Sequence, residues 1–435
     1  MVPSLLRIGL AVLIISCGPS AVRAQAEPVG SVAEFRALRS QAVVAANADD
    51  LVLADARLAE ADSLIANHPG LMLLRARVAA AADRPVEAVA QLARYAAAGL
   101  TLDLDNDAAL SALVDTPGYA AVADRIASNR EPVGADRLTP LATVPGPVLV
   151  ESLVRDEARD RWLVSQVAGR TVVALDDRGT VTPFLVPDPR ISSVLGLALE
   201  PSGDTLWAAT AALPPATHGQ PETAPASALL RIDVASGRIT AVYPAPADGR
   251  DRTFGDLVRG PDGSLYVADA TAGEVFCLRP GAATLEPLVV AGTFGSPQGM
   301  VVAPDRAALI VADYSSGLWR VDLGNGRATP LAAPGDASLI GVDGLTTDGR
   351  FLYAIQNGTA PQRILKLTPD AGWTRLTAVT TLAANLPALD EPTTGLVHAG
   401  RLVLISRSQW SDFAADGSLR SGPPAPAIIA HLQLD

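Results

Sequence analysis

One pattern of strands and turns recurs from residue 150 to the end of the chain, and it constrains the fold more than any other feature. In each copy an apolar strand leads through a turn to a second and a third strand, as in Gly196–Asp233, Gly299–Asp322 and Gly344–Leu367. The first residues of the successive copies are Glu151, Gly196, Asp256, Gln298, Asp343 and Thr394. Their average period is close to the roughly 40–50 residues of a four-stranded propeller blade.

The outer strands of these copies indicate how the ends of the array meet. A short segment predicted to form an outer strand, such as Val181–Phe184 or Ala328–Leu331, follows the third strand of five copies. The sixth such segment, Leu138–Leu141, precedes the first copy, and none follows the last strand. Pairing of residues 137–144 with 428–434 would close a ring and remove its exposed edges. The sequence therefore predicts an all-β six-bladed β-propeller over residues 136–435.

Residues 30–130 have a different composition, rich in Ala, Leu, Arg and Asp and poor in aromatic residues, which favours helices. Ser31 and Glu34 match a capping box at the start of the first helix. Two apolar stripes at helical spacing flank a break with Pro85: Leu71, Leu74 and Val78 before it, and Val86, Val89 and Ala93 after it. We expect a small all-α helical-hairpin domain.

The hairpin from about residue 69 to residue 100 resembles a tetratricopeptide repeat. The resemblance implies a peptide-binding platform and hence a protein partner at this domain. The alternative interpretation is a helical domain that only packs on the propeller.

The first 24 residues have the features of a signal peptide. Arg7 precedes an apolar stretch, and Val22-Arg23-Ala24 suits a signal peptidase. In a second interpretation, Ile14–Cys17 is a lipoprotein box and Cys17 becomes the acylated first residue of an outer-membrane lipoprotein. Both predict export to the periplasm or envelope, with no transmembrane span in the mature protein, because the apolar stretch is too short to cross a bilayer. If cleavage follows Ala24, Cys277 is the one remaining cysteine, and we expect it to be buried and structural.

Charge and motifs exclude several classes of function. The chain has 34 Lys and Arg against 46 Asp and Glu, a formal net charge of -12, which disfavours nucleic acid as a partner. The sequence contains no G-x-S-x-G elbow, P-loop, Rossmann fingerprint, H-E-x-x-H or C-x-x-C. These absences argue against serine hydrolase, nucleotide, zinc protease and thioredoxin chemistry.

The copies that begin with Glu151, Asp256, Gln298 and Asp343 resemble the senescence marker protein and gluconolactonase family of six-bladed propellers. The resemblance implies a divalent metal, commonly calcium, bound in the central tunnel by a Glu, an Asn and an Asp, with the Asp also acting as the base in lactone hydrolysis. Glu151 and Asp343 match that pattern, but Gln298 stands in the place of the Asn. The family phrase Phe-Asn-Asp reads Phe-Gly-Asp here, so that Gly255 replaces an Asn expected to contact substrate.

The first residues of inner strands converge on the axis of a propeller. We therefore expect Glu151, Asp256, Gln298, Asp343 and Thr394 to lie close together. Clustered carboxylates repel one another unless a hard cation or protons compensate them, and oxygen ligands favour Ca²⁺ or Mg²⁺ over Zn²⁺. The predicted metal ligands are Glu151, Gln298 and Asp343, with Asp343 as the catalytic base if the protein is an enzyme. The alternative is that the Asp side chains only accept bonds from backbone N–H groups in tight turns.

Loops at the same end of the ring supply further candidates for ligand binding. His218 lies in the longest loop, Gln356 follows a second strand, and Gln409 and Trp410 follow another. Together with Asp256 and Thr394, these amides and aromatic faces would suit sugars or peptide-like ligands.

Two functional hypotheses follow from these observations. The first is an exported, gluconolactonase-like propeller that binds a small polar ligand or a peptide at its tunnel, with a divalent cation and weak or no catalysis. The alternative is a divalent-metal-dependent lactonase or esterase, a hydrolase that acts on a sugar-type lactone.

Overall fold

The computed structural model describes residues 31–217 and 224–434. The predicted signal peptide, Cys17 and His218 lie outside these residues. Within them, no helix is both long enough and apolar enough to cross a membrane.

The N-terminal region is helical, as predicted. Its helices are α1 (Ser31–Asn47), α2 (Leu51–Leu64), α3 (Pro69–Ala81), α4 (Pro85–Ala97), α5 (Ala108–Ser111) and α6 (Tyr119–Ser128). Local side chains fix where they begin: the Asp50 carboxylate accepts the N–H of Leu53 at the start of α2, and Pro85 occupies the first turn of α4.

The buried face of α4 coincides only in part with its apolar stripe. Val89 is buried, whereas Val86 is 65% exposed and Ala93 is also exposed. The face that packs on the other helices consists of Ala88, Val89, Leu92, Tyr95 and Ala96. The difference arises because Val86 and Ala93 lie on the side of α4 that has no neighbouring helix to cover them.

Residues 138–433 form the predicted six-bladed β-propeller, with six four-stranded antiparallel sheets in the described part of the chain. Strand β1 (Leu138–Val144) comes first. Blade 1 contains β2 (Val150–Asp156), β3 (Arg161–Gln166), β4 (Thr171–Asp176) and β5 (Val181–Pro183). Blade 2 contains β6 (Ser193–Leu199), β7 (Thr205–Ala211), β8 (Ser227–Asp233) and β9 (Arg238–Pro244), with the short α7 (Pro214–Thr217) between β7 and β8.

Blades 3 to 6 follow in chain order, and the strands of each blade are given from the axis outward. Blade 3 contains β10 (Phe254–Arg259), β11 (Leu265–Asp269), β12 (Glu274–Leu278) and β13 (Glu286–Val289). Blade 4 contains β14 (Pro297–Val302), β15 (Ala308–Asp313), β16 (Gly317–Asp322) and β17 (Ala328–Pro330). Blade 5 contains β18 (Val342–Thr347), β19 (Leu352–Gln356), β20 (Arg363–Pro369) and β21 (Leu376–Ala384). Blade 6 contains β22 (Gly395–His398), β23 (Arg401–Arg407) and β24 (Ala427–Gln433).

Strand β1 completes blade 6. It pairs antiparallel with β24, from Leu138 opposite Leu432 to Val144 opposite Ala427. The first and last strands of the ring therefore belong to one sheet, as the number of outer-strand segments in the sequence predicts. Cys277 is buried within β12, where it packs as an apolar side chain.

The helical region packs on one end of the propeller. One continuous cluster of buried side chains combines Phe35 of α1 and Leu71 of α3 with Tyr266, Met300 and Trp319 of blades 3 and 4. Arg36 donates to the carbonyl of Gly295, Asn67 to that of Gly335, and Asn385 to that of Asn129. These propeller residues lie in loops that lead from an outer strand to the next inner strand. We call these connections, which include residues 290–296, 331–341 and 385–394, the mouth-side loops.

Candidate functional site

Each of the first five blades has a shift of pairing register near the start of its inner strand. The shifts fall between Val150 and Leu153, Val194 and Leu197, Phe254 and Leu257, Pro297 and Met300, and Val342 and Gly344. Residues inside such a shift are released from the strand ladder, and bulges of this kind commonly redirect side chains near functional sites. The released residues include Glu151, Gly196, Asp256, Gln298 and Asp343.

These residues surround one small cavity on the axis. Its lining consists of Glu151, Ser152, Gly196, Gly255, Asp256, Gln298, Gly299, Asp343, Gly344, Thr393 and Thr394. The structure thus brings together the first residues of all six copies. We refer to Glu151, Asp256, Gln298, Asp343 and Thr394 as the tunnel site.

The cavity is too small for a sugar ring. It offers about 20 Å³ to the centre of a water-sized sphere, and roughly 10–15 Å³ on this measure is enough for one water molecule. The tunnel site therefore has room for one water or one ion. A larger ligand has to place most of its atoms at the mouth.

Glycines allow the inner strands to come this close. A Cβ at Gly344 would lie 2.2 Å from the carbonyl oxygen of Thr393, and one at Gly299 would lie 2.5 Å from the backbone N of Leu345. Both contacts are with backbone atoms of the next blade, which cannot move aside individually. The narrow tunnel therefore depends on the Gly that follows Gln298 and the Gly that follows Asp343.

Glu151 and Asp343 each accept a hydrogen bond from a neutral side chain. The indole Nε1 of Trp410 donates to Oε2 of Glu151 at 2.7 Å, and Nδ2 of Asn357 donates to Oδ2 of Asp343 at 2.6 Å. Burial, followed by repulsion from Asp343, raises the pKa of Glu151 well above its usual range, although the Trp410 bond opposes the shift. Burial also raises the pKa of Asp343 to about 7, with further increases from Asp256 and Glu391, while the Asn357 bond opposes them.

Asp256 is held mainly by backbone groups. Its Oδ1 accepts the N–H of Leu257 at 2.8 Å. Burial raises its pKa to about 6, against the effect of hydrogen bonds from the backbone N–H groups of Leu257 and Met300. Asp256 therefore accepts backbone N–H groups, as the alternative interpretation of the sequence expects, and it also lines the cavity.

The two departures from the family pattern lie next to each other. Nε2 of Gln298 donates to Oγ of Ser296 at 2.9 Å, which leaves the carbonyl oxygen Oε1 as its other polar end. That oxygen would lie 3.7 Å from a Cβ at Gly255. The longer side chain at 298 thus extends toward the position where residue 255 has no side chain.

The fit of a cation depends on amide and hydroxyl oxygens as well as on carboxylates. Among the described residues, no group of three or more His, Cys, Asp and Glu side chains is placed to hold a metal ion. Glu151 and Asp343 would therefore need Oε1 of Gln298 or the Thr394 hydroxyl to complete a ligand set. Such oxygen donors are the ones that Ca²⁺ prefers. The residue types at the tunnel site fit a hard divalent cation, and the predicted ligands Glu151, Gln298 and Asp343 are among the residues that could hold it.

Two of the predicted ligand-binding amides are not available to a ligand. Gln356 is fully buried, with Nε2 donating to the carbonyls of Ser338 and Ile340. Gln409 is also fully buried: its Oε1 accepts the N–H groups of Val148 and Leu149, and its Nε2 donates to two carbonyls. Both predictions are wrong, because these side chains satisfy loop backbone groups that have no partner in a strand.

Trp410 does lie at the mouth, where it contacts Glu151. The sequence analysis does not identify two further polar residues beside the tunnel site. Asn357-Gly358 has the composition of an ordinary turn, but Asn357 supports Asp343. Oδ1 of Asn357 and Oε2 of Glu391 are both buried without a hydrogen-bond partner in the described chain. Glu391 lies in a mouth-side loop with a φ of 52° and carries no motif that would identify it.

Fold and site together define a class: a six-bladed β-propeller with a helical domain on its mouth side and a narrow, oxygen-lined axial cavity. No family model matches the sequence, and no curated protein matches it. Solved structures with a similar fold include a gluconolactonase from Xanthomonas campestris, with 16% identity over 69% of this chain and 91% of that one and a TM-score of 0.48.

Two further solved structures show the same level of similarity. A luciferin-regenerating enzyme has 14% identity over 70% of this chain and 95% of that one, with a TM-score of 0.47. A virginiamycin B lyase from Staphylococcus aureus has 14% identity over 69% and 99%, with a TM-score of 0.45. The six-bladed fold itself rests on the strand pairing of this chain.

Proposed function

We propose that this protein is an exported propeller that binds a small polar ligand or peptide at the mouth of its tunnel, with one divalent cation, Ca²⁺ for preference, at the tunnel site. The observation that carries the proposal is the set of oxygen-bearing side chains around a cavity with room for a single water or ion. A bound cation would offset the repulsion between Glu151 and Asp343 and offer a ligand oxygen a positive charge.

Binding without efficient turnover is the preferred form of this proposal. Gly255 offers no side chain where a gluconolactonase-like site would contact its substrate, and Gln298 replaces a shorter amide. Ligand recognition therefore falls to residues at the mouth, where Trp410 presents an aromatic ring. Calorimetry with sugars, sugar lactones and short envelope peptides tests this form of the proposal, and an absence of binding heat alongside steady lactone turnover would contradict it.

The cation can be tested independently of any ligand. Ca²⁺ should raise the melting temperature of the wild type and a chelator should reverse the effect, because the ion binds only the folded chain. Tb³⁺ should replace Ca²⁺ and luminesce on excitation of Trp410, since that indole contacts Glu151. Both signals should disappear in Glu151→Gln and Asp343→Asn and persist in Asp336→Asn, an exposed control. A wild type that gives neither signal would refute the cation site.

A lactone hydrolase is the second candidate, and the pKa of Asp343 favours it. A carboxyl with a pKa of about 7 is suited to accept a proton at neutral pH. Hydrolysis of sugar-type lactones should then be lost in Asp343→Asn, even though the variant keeps the shape of the side chain. If purified protein hydrolyses no lactone with Ca²⁺, Mg²⁺ or Mn²⁺, the binding function remains as the proposal.

Export is proposed on the sequence of residues 1–24. Mass spectrometry of protein from an envelope fraction should find a mature chain that begins at Gln25, or an acylated chain that begins at Cys17. Cys17→Ser separates the two cases, because it abolishes lipidation and leaves cleavage after Ala24 intact. Recovery of the unprocessed chain from the cytoplasm alone would contradict export.

A further inference from the structure

Arg363 is a buried arginine that connects the helical domain to the propeller. Its side chain begins on β20 and is 4% exposed. Nη1 donates to the carbonyls of Ala98 and Gly99, at 2.9 and 3.3 Å, just beyond the end of α4. Nε donates to Oε1 of Gln356 at 2.6 Å. Among the described residues no carboxylate forms an ion pair with this guanidinium.

The carbonyl end of α4 takes the place of a carboxylate partner. The last carbonyl groups of a helix lack hydrogen-bond partners within the helix and carry a partial negative charge. Burial still lowers the pKa of Arg363 to about 10. Gly99 has a φ of +75°, and a Cβ there would lie 2.7 Å from Nη1 of Arg363. The backbone therefore reaches the guanidinium only because residue 99 is glycine.

Two residues that are adjacent in sequence, Gln356 and Asn357, connect Arg363 to the tunnel site. Gln356, which accepts from Arg363, donates to the carbonyls of Ser338 and Ile340 and so fixes the end of β19 against a mouth-side loop. The next residue, Asn357, donates to Asp343 at 2.6 Å. Arg363 and Asp343 are thus separated by two side chains that are adjacent in sequence.

Another contact between the helical domain and the propeller does not involve Gln356 or Asn357. Nδ2 of Asn385 donates to the carbonyls of Asn129 and Glu131. Among the described residues, the side chain of Asn385 forms no hydrogen bond to a tunnel-site side chain. It offers a matched control for a role that is limited to attaching the helices.

We infer that Arg363 is a positioning residue through which the helical domain holds Asn357 against Asp343. The inference deepens the proposed function, because it concerns the same tunnel carboxyl, Asp343. It rests on the proposed function only where its test uses a bound cation. In this role the helical domain is a structural part of the tunnel site, and its loss would alter the site as well as the stability of the protein.

The side-chain amide of Asn357 gives a direct readout on the full-length chain. Its two N–H signals in a ¹H–¹⁵N spectrum can be assigned by their loss in Asn357→Ser. Arg363→Met should shift both signals and increase their exchange with solvent about tenfold or more, and Asn385→Ala should leave them unchanged. Gly99→Ala keeps Arg363 but displaces its guanidinium, so this variant should shift the Asn357 signals in the same way but less. It decides the question if Arg363→Met does not fold.

Tb³⁺ affinity provides the second readout. A coupling of the size usually seen between distant groups would weaken binding about threefold to thirtyfold in Arg363→Met and Gly99→Ala, with no change in Asn385→Ala. If the wild type binds no Tb³⁺, the proposed function fails while the Asn357 signals still test the inference. Asn357 signals that stay unchanged in both variants, or that change equally in Asn385→Ala, would overturn it.

Discussion

Asp343 combines burial, a neighbouring carboxyl and one neutral hydrogen-bond donor, and these set how its charge affects stability. Its pKa in the folded chain is raised to about 7, and that of Asp256 to about 6, whereas an unfolded Asp titrates near 3.9. The folded chain therefore binds more protons than the unfolded chain between about pH 4 and pH 7. Stability from these groups is complete below about pH 4 and is lost as the pH rises through 6 and 7.

Removing the charge at Asp343 should therefore stabilise the protein at alkaline pH only. In the presence of a chelator, we expect Asp343→Asn to raise the free energy of unfolding by about 1–2 kcal/mol at pH 8, after allowance for the partial exposure of the site. At pH 4 the two proteins should be equal. Urea unfolding at both pH values measures the difference, with Asp336→Asn as an exposed control. A gain that is the same at both pH values would show that the charge of Asp343 is not its cause.

Trp410 and Trp319 allow a comparison between a charged and a neutral acceptor. Trp410 donates to Glu151, whereas Nε1 of Trp319 donates to the hydroxyl of Ser316 at 2.8 Å. A hydrogen bond to a charged group contributes about 1.5–3 kcal/mol, and one to a neutral group about 1 kcal/mol.

Trp410→Phe should consequently become more destabilising as Glu151 ionises. We expect the difference between its cost and that of Trp319→Phe to grow by about 1 kcal/mol as rising pH converts Glu151 from its protonated to its charged form. Urea unfolding of both variants over a series of pH values checks this. A difference that is the same at every pH would show that the indole bond does not depend on the charge of Glu151.

The inner strands show why part of the site could be predicted from the sequence. Glu151, Asp256, Gln298, Asp343 and Thr394 occupy equivalent positions in a repeat, and the symmetry of a ring brings equivalent positions together. Such a prediction needs only the period and the direction of the strands.

The remaining contacts depend on tertiary structure that no repeat encodes. Gln356 and Gln409 have the same polarity as Gln298, yet they are buried because unpaired loop carbonyls and N–H groups lie beside them. Asn357 and Glu391 face the tunnel site from single loops. Whether such a side chain binds the backbone or faces a ligand is decided by neighbours that are distant in sequence.

Gly344 should set the width of the tunnel, because it allows the inner strand of blade 5 to approach the backbone of Thr393. Gly344→Ala places a Cβ against the carbonyl of Thr393, and overpacking against backbone typically costs about 1–3 kcal/mol. Gly372→Ala is the control, because its Cβ would meet only Thr374 at an ordinary 3.5 Å. Urea unfolding should separate the two variants by at least about 1 kcal/mol. Equal stability would show that blades 5 and 6 can move apart without loss.

At the scale of the whole molecule, two connections join parts that are distant along the chain. The pairing of β1 with β24 closes the ring, and β1 directly follows the helical region. The helices also share one apolar cluster with blades 3 and 4. Domains move independently unless the interface between them is large and apolar. The cluster and the Arg363 contact therefore favour a single cooperative unit.

We expect the helical domain and the propeller to unfold together. Calorimetry of the protein should give one transition, with a calorimetric enthalpy equal to the van't Hoff enthalpy. Phe35→Ala, which removes a side chain that is 3% exposed in the shared cluster, should lower the free energy of unfolding by about 3–5 kcal/mol and shift the whole transition. Val86→Ala, at a position 65% exposed, should change it by less than about 0.5 kcal/mol. If Phe35→Ala instead splits the transition, so that the helical signal melts first and the propeller melts at its original temperature, the shared cluster does not couple the two parts and Arg363 would not suffice to hold the tunnel site.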